Sequence, residues 1–262
     1  MNALVASLWS EGLKAIRSKM LPGTIAIFAF VGAMMGFMMF AAQHPEISGR
    51  SATMSAKVSA IGKGDWPSFF GFLVQTVLAL GAMGFGIVTS WIFGREYADR
   101  TVKDLLALPV PRFAIVCAKF TVATIWNIIL SAILFISGFL AAKAFGIPGW
   151  SDALVAPFAV SFAKSALLTM ALVTPVALAS AAGRGYLLPI GYVILALIVT
   201  QLIGVGMPSI AAYFPWAFPA VVSGLAGNAI PPPNAASVIL YCLTITAGFF
   251  GTLAWWRYAD HT

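Results

Sequence analysis

The sequence predicts an all-α integral membrane protein with six transmembrane helices, and three observations carry that prediction. Of the 262 residues, 61% are hydrophobic and only 9% are charged, with a mean hydropathy of +0.96. Soluble domains carry about 25% charged and under half apolar residues, so a water-soluble enzyme with an ordinary core is excluded. Intrinsic disorder is excluded too, because it requires low hydrophobicity and high charge. Apolar segments of the roughly 20 residues needed to cross the hydrocarbon core run near 21–42, 67–93, 120–142, 165–183, 187–206 and 235–256. Finally, Lys and Arg fall unevenly on the two sides that these segments define.

Residues 1–20 read as an interfacial helix. Leu4, Val5, Leu8, Trp9, Gly12, Leu13, Ile16 and Met20 share one helical face, while Ser7, Ser10, Glu11, Lys14, Arg17 and Ser18 share the other. Such an amphipathic helix suits the inner membrane surface, with Pro22 breaking it before the first span. The apolar run that follows is too long for a cleaved signal peptide and lacks a small-x-small site. Within the first span, Gly32-x-x-x-Gly36 has close-packing spacing, as do Gly81, Gly84 and Gly86 in the second. The stretch 43–65 between them reads as one exposed polar loop.

Lys119 and Lys143 bracket the third span, and Lys164 and Arg184 the fourth, each pair roughly 30–36 Å apart at helical rise. A lysine at mid-helix would cost about 2.5–3.5 kcal/mol on insertion scales. Lys164 is therefore placed at the outer end of its span, where it snorkels to the headgroups. The apolar stretch 152–163 lies too close to the fourth span to cross separately and reads as an interfacial piece broken at Pro157. The segment 207–234 holds Tyr213, Phe214, Trp216 and Phe218 among prolines at 208, 215, 219 and 231–233. Those prolines prevent a continuous span, which predicts short extracellular interfacial or re-entrant helices with aromatics at headgroup level.

With the N-terminus inside, ten Lys and Arg residues fall on the inner side, from Lys14 to Arg257, against five on the outer. The positive-inside rule then places both termini in the cytoplasm of a multi-pass protein of the plasma or inner membrane. The net charge of +7 is thus a topology signal, with lipid and not nucleic acid as its partner.

Several chemistries are missing. Gly62-Lys63-Gly64 lacks the upstream Gly and the hydroxyl residue of a phosphate-cradling loop. His44 and His261 fall on opposite faces, so no histidine metal site or triad forms. Cys117 and Cys242 are far apart in sequence and read as small hydrophobes. Asp and Glu all fall in loops or at helix ends, unlike the midplane carboxylates of ion-coupled carriers. No catalytic residue, metal site or cofactor is expected on this chain. The polar residues inside spans, chiefly Gln75, Asn127, Ser131, Thr174 and Gln201, either line a substrate path or make interhelical hydrogen bonds.

One dense charged run, Gly94 to Arg112, joins the second and third spans. Tyr97, Ala98, Val102, Leu105 and Leu106 follow an amphipathic spacing. Glu96 precedes Arg100, and Asp99 precedes Lys103, by four residues, a favourable order for helical ion pairs. Pro109 and Pro111 end the pattern. The spacing predicts one amphipathic helix across the inner membrane face, either a solvated linker or a docking surface.

The residues of this run resemble the signature of ABC-2-type permeases, in particular bacterial half-size exporters of the peptide-antibiotic and bacitracin type. That pattern is a Glu (here Glu96), a Thr five residues on (Thr101), a Leu-Leu pair (Leu105, Leu106), a Pro-x-x-Arg turn (Pro109, Arg112) and a following Lys (Lys119). Family members often carry Gly before the Thr and an acidic residue two after it, where this chain has Arg100 and Lys103. In residue identity the resemblance covers about 93–119, and in architecture the whole chain.

The resemblance implies a membrane subunit of an ABC transporter, acting in a permease dimer (a second copy or a paralogue). ATP and Mg would be held by a separate cytosolic ATPase. Residues 95–108 would form the coupling helix seated on that ATPase. Glu96 would hold helix and span in fixed relation, Thr101, Leu105 and Leu106 would orient and anchor it, and Arg112 would mark the return into the membrane. A hydrophobic or amphipathic cargo (peptide, antibiotic or lipid) follows from the same group and from the uncharged, Phe- and Met-rich spans. Two other readings stand beside it: an ATP-independent secondary carrier or channel, and a non-transporting membrane immunity or assembly protein.

Overall fold

The computed structural model describes residues 3–44, 46, 63–107, 109–225 and 230–258, and every regular element among them is helical. The chain begins with α1 (Ala3–Ile16) and α2 (Met20–Gln43). Next come α3 (Trp66–Thr76) and α4 (Ala82–Ala98), joined by a π-helical turn at Val77–Gly81. A short α5 (Val102–Ala107) leads into α6 (Arg112–Ala144), followed by α7 (Asp152–Ala171) and α8 (Val173–Ala182). The remainder is α9 (Leu187–Gly206), the short α10 (Pro208–Ala211) and α11 (Phe218–Val222), and α12 (Ala235–Tyr258). Six stretches are long and apolar enough to cross a bilayer: Met20–Gln43, Trp66–Ala98, Arg112–Ala144, Asp152–Ala182, Leu187–Gly206 and Ala235–Tyr258.

Several helices are longer than their apolar runs. The third span starts at Arg112, so Lys119 lies inside the helix and not at its mouth. Likewise the fourth span starts at Asp152 and runs through Pro157 without a break. Near a helix start, proline costs only one backbone bond, to the Ala153 carbonyl on an exposed turn. The expected interfacial piece at 152–163 is therefore the first part of the fourth candidate span, and Lys164 sits well within that helix and not at its end. A bend does occur at Leu172, three residues before Pro175. Pro175 cannot donate to the Ala171 carbonyl, and the Thr174 hydroxyl lies 3.2 Å from that oxygen instead.

Pro22 falls in the first turn of α2, where proline is tolerated. The chain turns earlier, at 17–19, with the Leu21 N–H donating to the Ser18 hydroxyl at 3.3 Å. At the opposite end, Asp65 caps α3 by accepting from the Ser68 N–H at 3.0 Å. Hydrogen bonds from Ser68 hold the Asp65 carboxyl below the usual carboxylate range. The loop expected over 43–65 lies mostly outside the described residues.

Hydrophobic burial does not drive helices together in lipid, so close packing must do so. The first and third spans run side by side, and a Cβ on Gly32 or Gly36 would overlap the backbone of the third span at Leu134–Gly138 or Ala141–Ala142. Gly248 of α12 rests in the same way on Thr174–Pro175. In the second span, Gly84 faces the Phe28 ring and Gly86 faces Val193.

In the segment after α9 the aromatic residues divide between the protein interior and its surface. Trp216 and Phe218 are buried, with Trp216 Nε1 donating to the Tyr192 hydroxyl at 3.2 Å and Phe218 stacked on Tyr241 at 4.5 Å. These rings wedge α10 and α11 into a small second core with Leu172, Val176 and Val193, while Tyr213 stays exposed.

Gly32→Leu is expected to remove about 3 kcal/mol of stability by overpacking backbone that cannot yield. Gly12→Ala, where an added Cβ meets nothing within 4 Å, should not lower the detergent melting temperature. Equal melting of the two variants would disprove the close-packing role.

Candidate functional site

The second and third spans approach each other at the end where the charged run joins them. There five charged side chains from three elements converge. Lys119 of α6 is fully buried, and its ammonium reaches Glu96 Oε1 at 2.8 Å, Glu11 Oε2 at 3.1 Å and the Ile92 carbonyl at 2.9 Å. A lysine ammonium has three donors, and each has an acceptor here. Arg95 donates to Glu11 at 3.1 Å and to Glu96 at 3.2 Å, with its guanidinium 4.7 Å from the Trp91 ring centre. Lys14 closes the set from α1, at 2.7 Å from Glu11 and 3.3 Å from Glu96.

This cluster explains how α1 lies on the bundle. Ser7, Glu11 and Ala15, spaced by one turn, form its buried stripe, whereas Val5, Trp9 and Ile16 are exposed. The polar face thus turns toward the protein and the apolar face outward, toward lipid. Glu11 is a site residue that pattern reading assigns to a solvated face. Its one sequence signal is the cationic Lys119 inside an apolar helix, a charge that needs a carboxylate from somewhere.

Glu96 belongs to the last turns of α4 and not to a separate coupling helix. The expected continuous helix over 95–108 is two helices with a tight turn between. Arg100 N–H donates to the Tyr97 carbonyl at 3.2 Å and Thr101 N–H to the Glu96 carbonyl at 2.9 Å. Together they form the paired bonds of a Schellman C-cap, which needs a left-handed residue between them. Arg100 fills that place at φ 58. The glycine usual before the Thr in the resembled signature therefore has a backbone reason, and Arg100 occupies a glycine position. The turn also prevents the expected helical pairs, since Glu96 points into the cluster while Asp99 and Lys103 stay exposed.

Thr101 then opens α5, its carbonyl accepting from the Leu105 N–H at 3.1 Å. Val102 is buried and Leu105 half-buried against the main core, which leaves Arg100, Lys103, Asp104 and Pro109 on the exposed side. The Leu106 side chain lies outside the described residues. Arg112 Nη1 donates to the Trp256 and Arg257 carbonyls, both at 2.9 Å, and so caps the C-terminal end of the sixth span.

The five polar residues offered for a substrate path do not converge. Gln75 and Gln201 line one cavity of about 360 Å³, with Thr169, Thr200 and Trp216, between the second, fourth and fifth spans and the re-entrant segment. Asn127 is fully buried in α6, and its amide has no hydrogen-bond partner among the described residues. Ser131 donates to the Asn127 carbonyl at 2.9 Å, and Thr174 lies 2.9 Å from the Ile245 carbonyl of the sixth span. Among the described residues, no three His, Cys, Asp or Glu side chains are placed to hold a metal.

Arg100→Gly is expected to stabilise the protein by about 0.5–1 kcal/mol. Relief of left-handed strain, about 1–2 kcal/mol, exceeds the entropy cost of glycine, about 0.5–1 kcal/mol. An unchanged or lower midpoint in detergent unfolding would refute the strained cap. Glu96→Gln should cost about 3–5 kcal/mol by leaving buried cations short of a counter-charge. Lys14→Met, at a side chain 35% exposed, should cost under about 1 kcal/mol. Reversal of that order in the same unfolding assay would contradict the cluster's electrostatics.

A family model described as ABC-2 family transporter protein matches residues 7–202, from the buried stripe of α1 through most of the fifth span. The chain is also 28% identical over 185 residues to the bacitracin transport permease protein BCRB of Bacillus licheniformis, covering 70% of this chain and 87% of that protein. With an all-helical fold of six candidate membrane spans, the chain belongs to the ABC-2 family of transporter proteins.

Proposed function

We propose that this chain is the membrane subunit of an ATP-driven ABC transporter, exporting a hydrophobic or amphipathic compound such as a peptide, an antibiotic or a lipid. The observation that carries the reading is α5, a short helix whose exposed side bears Lys103 and Asp104, with Arg100 exposed on the turn before it and the buried ion cluster at its root. A segment that passes force to the membrane must be stiff at its root and free on its outer face. The family assignment and the similarity to a bacitracin permease support the same reading.

On this reading the ATPase is a separate cytosolic subunit that holds ATP and Mg, and this chain catalyses nothing. A second copy or a paralogue completes the path across the plasma or inner membrane, with both termini cytoplasmic, a reading that the Lys and Arg distribution supports. Closure of the ATPase acts only through its different affinity for the inward- and outward-facing states. Glu96, Thr101, Leu105 and Arg112 hold α5 to the second, third and sixth spans so that this bias reaches the path. The cavity lined by Gln75 and Gln201 supplies a polar recess for part of that path.

Affinity purification of the tagged chain from its native membrane tests the proposal. A soluble protein with Walker motifs should co-purify stoichiometrically and be lost from Lys103→Glu/Asp104→Lys, while this chain keeps its wild-type melting temperature. Recovery of the chain alone, in a detergent that preserves transporter complexes, would favour a secondary carrier or an immunity protein instead.

A further inference from the structure

Lys164 is exposed on the fourth span and has no ion-pair or hydrogen-bond partner among the described residues. Its depth follows from neighbours. At one end of the bundle Trp66 and Trp150 lie edge to face at 4.7 Å, and Lys143 sits 3.9 Å above the Trp150 ring. Tryptophan with lysine marks a membrane–water boundary. Asp152 begins the fourth span beside this belt, accepting from Trp150 Nε1 at 3.1 Å. Lys164 lies twelve residues, roughly 18 Å, further along the axis from that belt. The ring contact of Phe162 with Phe135, at 5.2 Å, agrees, because Phe135 lies eight residues, roughly 12 Å, along α6 from Lys143 at the same belt. In a hydrocarbon layer about 30 Å thick that depth is near the midplane, beyond the reach of a snorkelling lysine stem.

Such a charge needs water or a counter-ion. Among the described residues the chain itself supplies none. Glu11 and Glu96 are spent on the buried cluster, Asp65 and Asp152 start helices at the Trp66–Trp150 end, and Asp99 and Asp104 belong to the charged run. Around Lys164 the exposed stripe is small and apolar, with Ala156, Val160 and Ala163; Lys164 does not line the apolar groove of about 400 Å³ between the third and fourth spans, but its neighbour Ala163 forms part of that groove's edge. A cation beside an apolar groove matches a molecule with one anionic group and an apolar body.

The geometry points to Lys164 as an anion-binding residue inside the membrane path, receiving a carboxylate or phosphate of an amphipathic cargo. This deepens the permease reading and rests on it for the word cargo. The site itself is tested without the ATPase. The chain, stripped of its thiols by Cys117→Ser and Cys242→Ser and given Val160→Cys one turn from Lys164, is reacted in open membranes. The probes are a matched pair of water-soluble thiosulfonates, one bearing a sulfonate and one a trimethylammonium group.

Corrected for their rates with a small free thiol, the anionic reagent should react about threefold faster or more, because of the nearby charge. Lys164→Met should bring the ratio to about one, and Lys164→Arg should keep it. Absence of labelling at the introduced thiol, which means a lipid-covered face, would overturn the proposal. So would a ratio indifferent to Lys164→Met, which means a charge already neutralised by a partner's carboxylate. If the ratio behaves as expected but no ATPase co-purifies, the permease reading falls and the anion site stands.

Discussion

The ammonium of Lys119 is the constraint on which one end of the bundle depends, the end where the charged run joins the second and third spans. A cation with no solvent access is tolerable only where acceptors replace its water, and removing an acceptor leaves an uncompensated charge. Those acceptors come from three places: Glu11 on α1, Glu96 near the end of α4, and the carbonyl of Ile92. One buried charge therefore fixes an interfacial helix against two spans. Because α4 ends two residues after Glu96, the cluster also sets where the chain turns and how α5 leaves the membrane. From α5 the constraint continues to Arg112, whose side chain ties the start of the third span to the end of the sixth.

Elsewhere the bundle is held by shape. Apolar side chains gain nothing from leaving lipid for protein, so the contacts that specify this fold are those that bring backbones close. Gly32 and Gly36 seat the first span on the third, and Gly248 seats the sixth on the proline bend of the fourth. That bend serves the contact as well. The Thr174 hydroxyl lies within reach of both the Ala171 carbonyl, deprived of its usual donor by Pro175, and the Ile245 carbonyl across the interface. The re-entrant segment follows the same logic, with buried Trp216 and Phe218 filling space that the spans leave open.

Electrostatic rigidity at one end and adaptable apolar packing through the rest is an arrangement suited to a transporter of the ABC-2 family. On the proposed reading, the partner acts where the structure is stiffest, and the cargo is met where it is least polar. Lys164 is the exception in that apolar region, and its isolation is what gives it meaning.

The six-span fold, the charged run between the second and third spans and the Gly32–Gly36 packing face were all legible from the sequence, because composition and spacing along one helix suffice for each. Thr101 and Arg112 could be singled out by resemblance, though the Schellman turn at Arg100 and the cap on the sixth span required coordinates. The burial of Glu11 and Lys119, the exposure of Lys164 within the fourth helix and the cavity shared by Gln75 and Gln201 were decided only by tertiary structure. Hydrophobic patterning finds the apolar stretch of a helix but not how far the helix continues past it. Whether a charged side chain meets water, lipid or an opposite charge depends on residues far away in the chain.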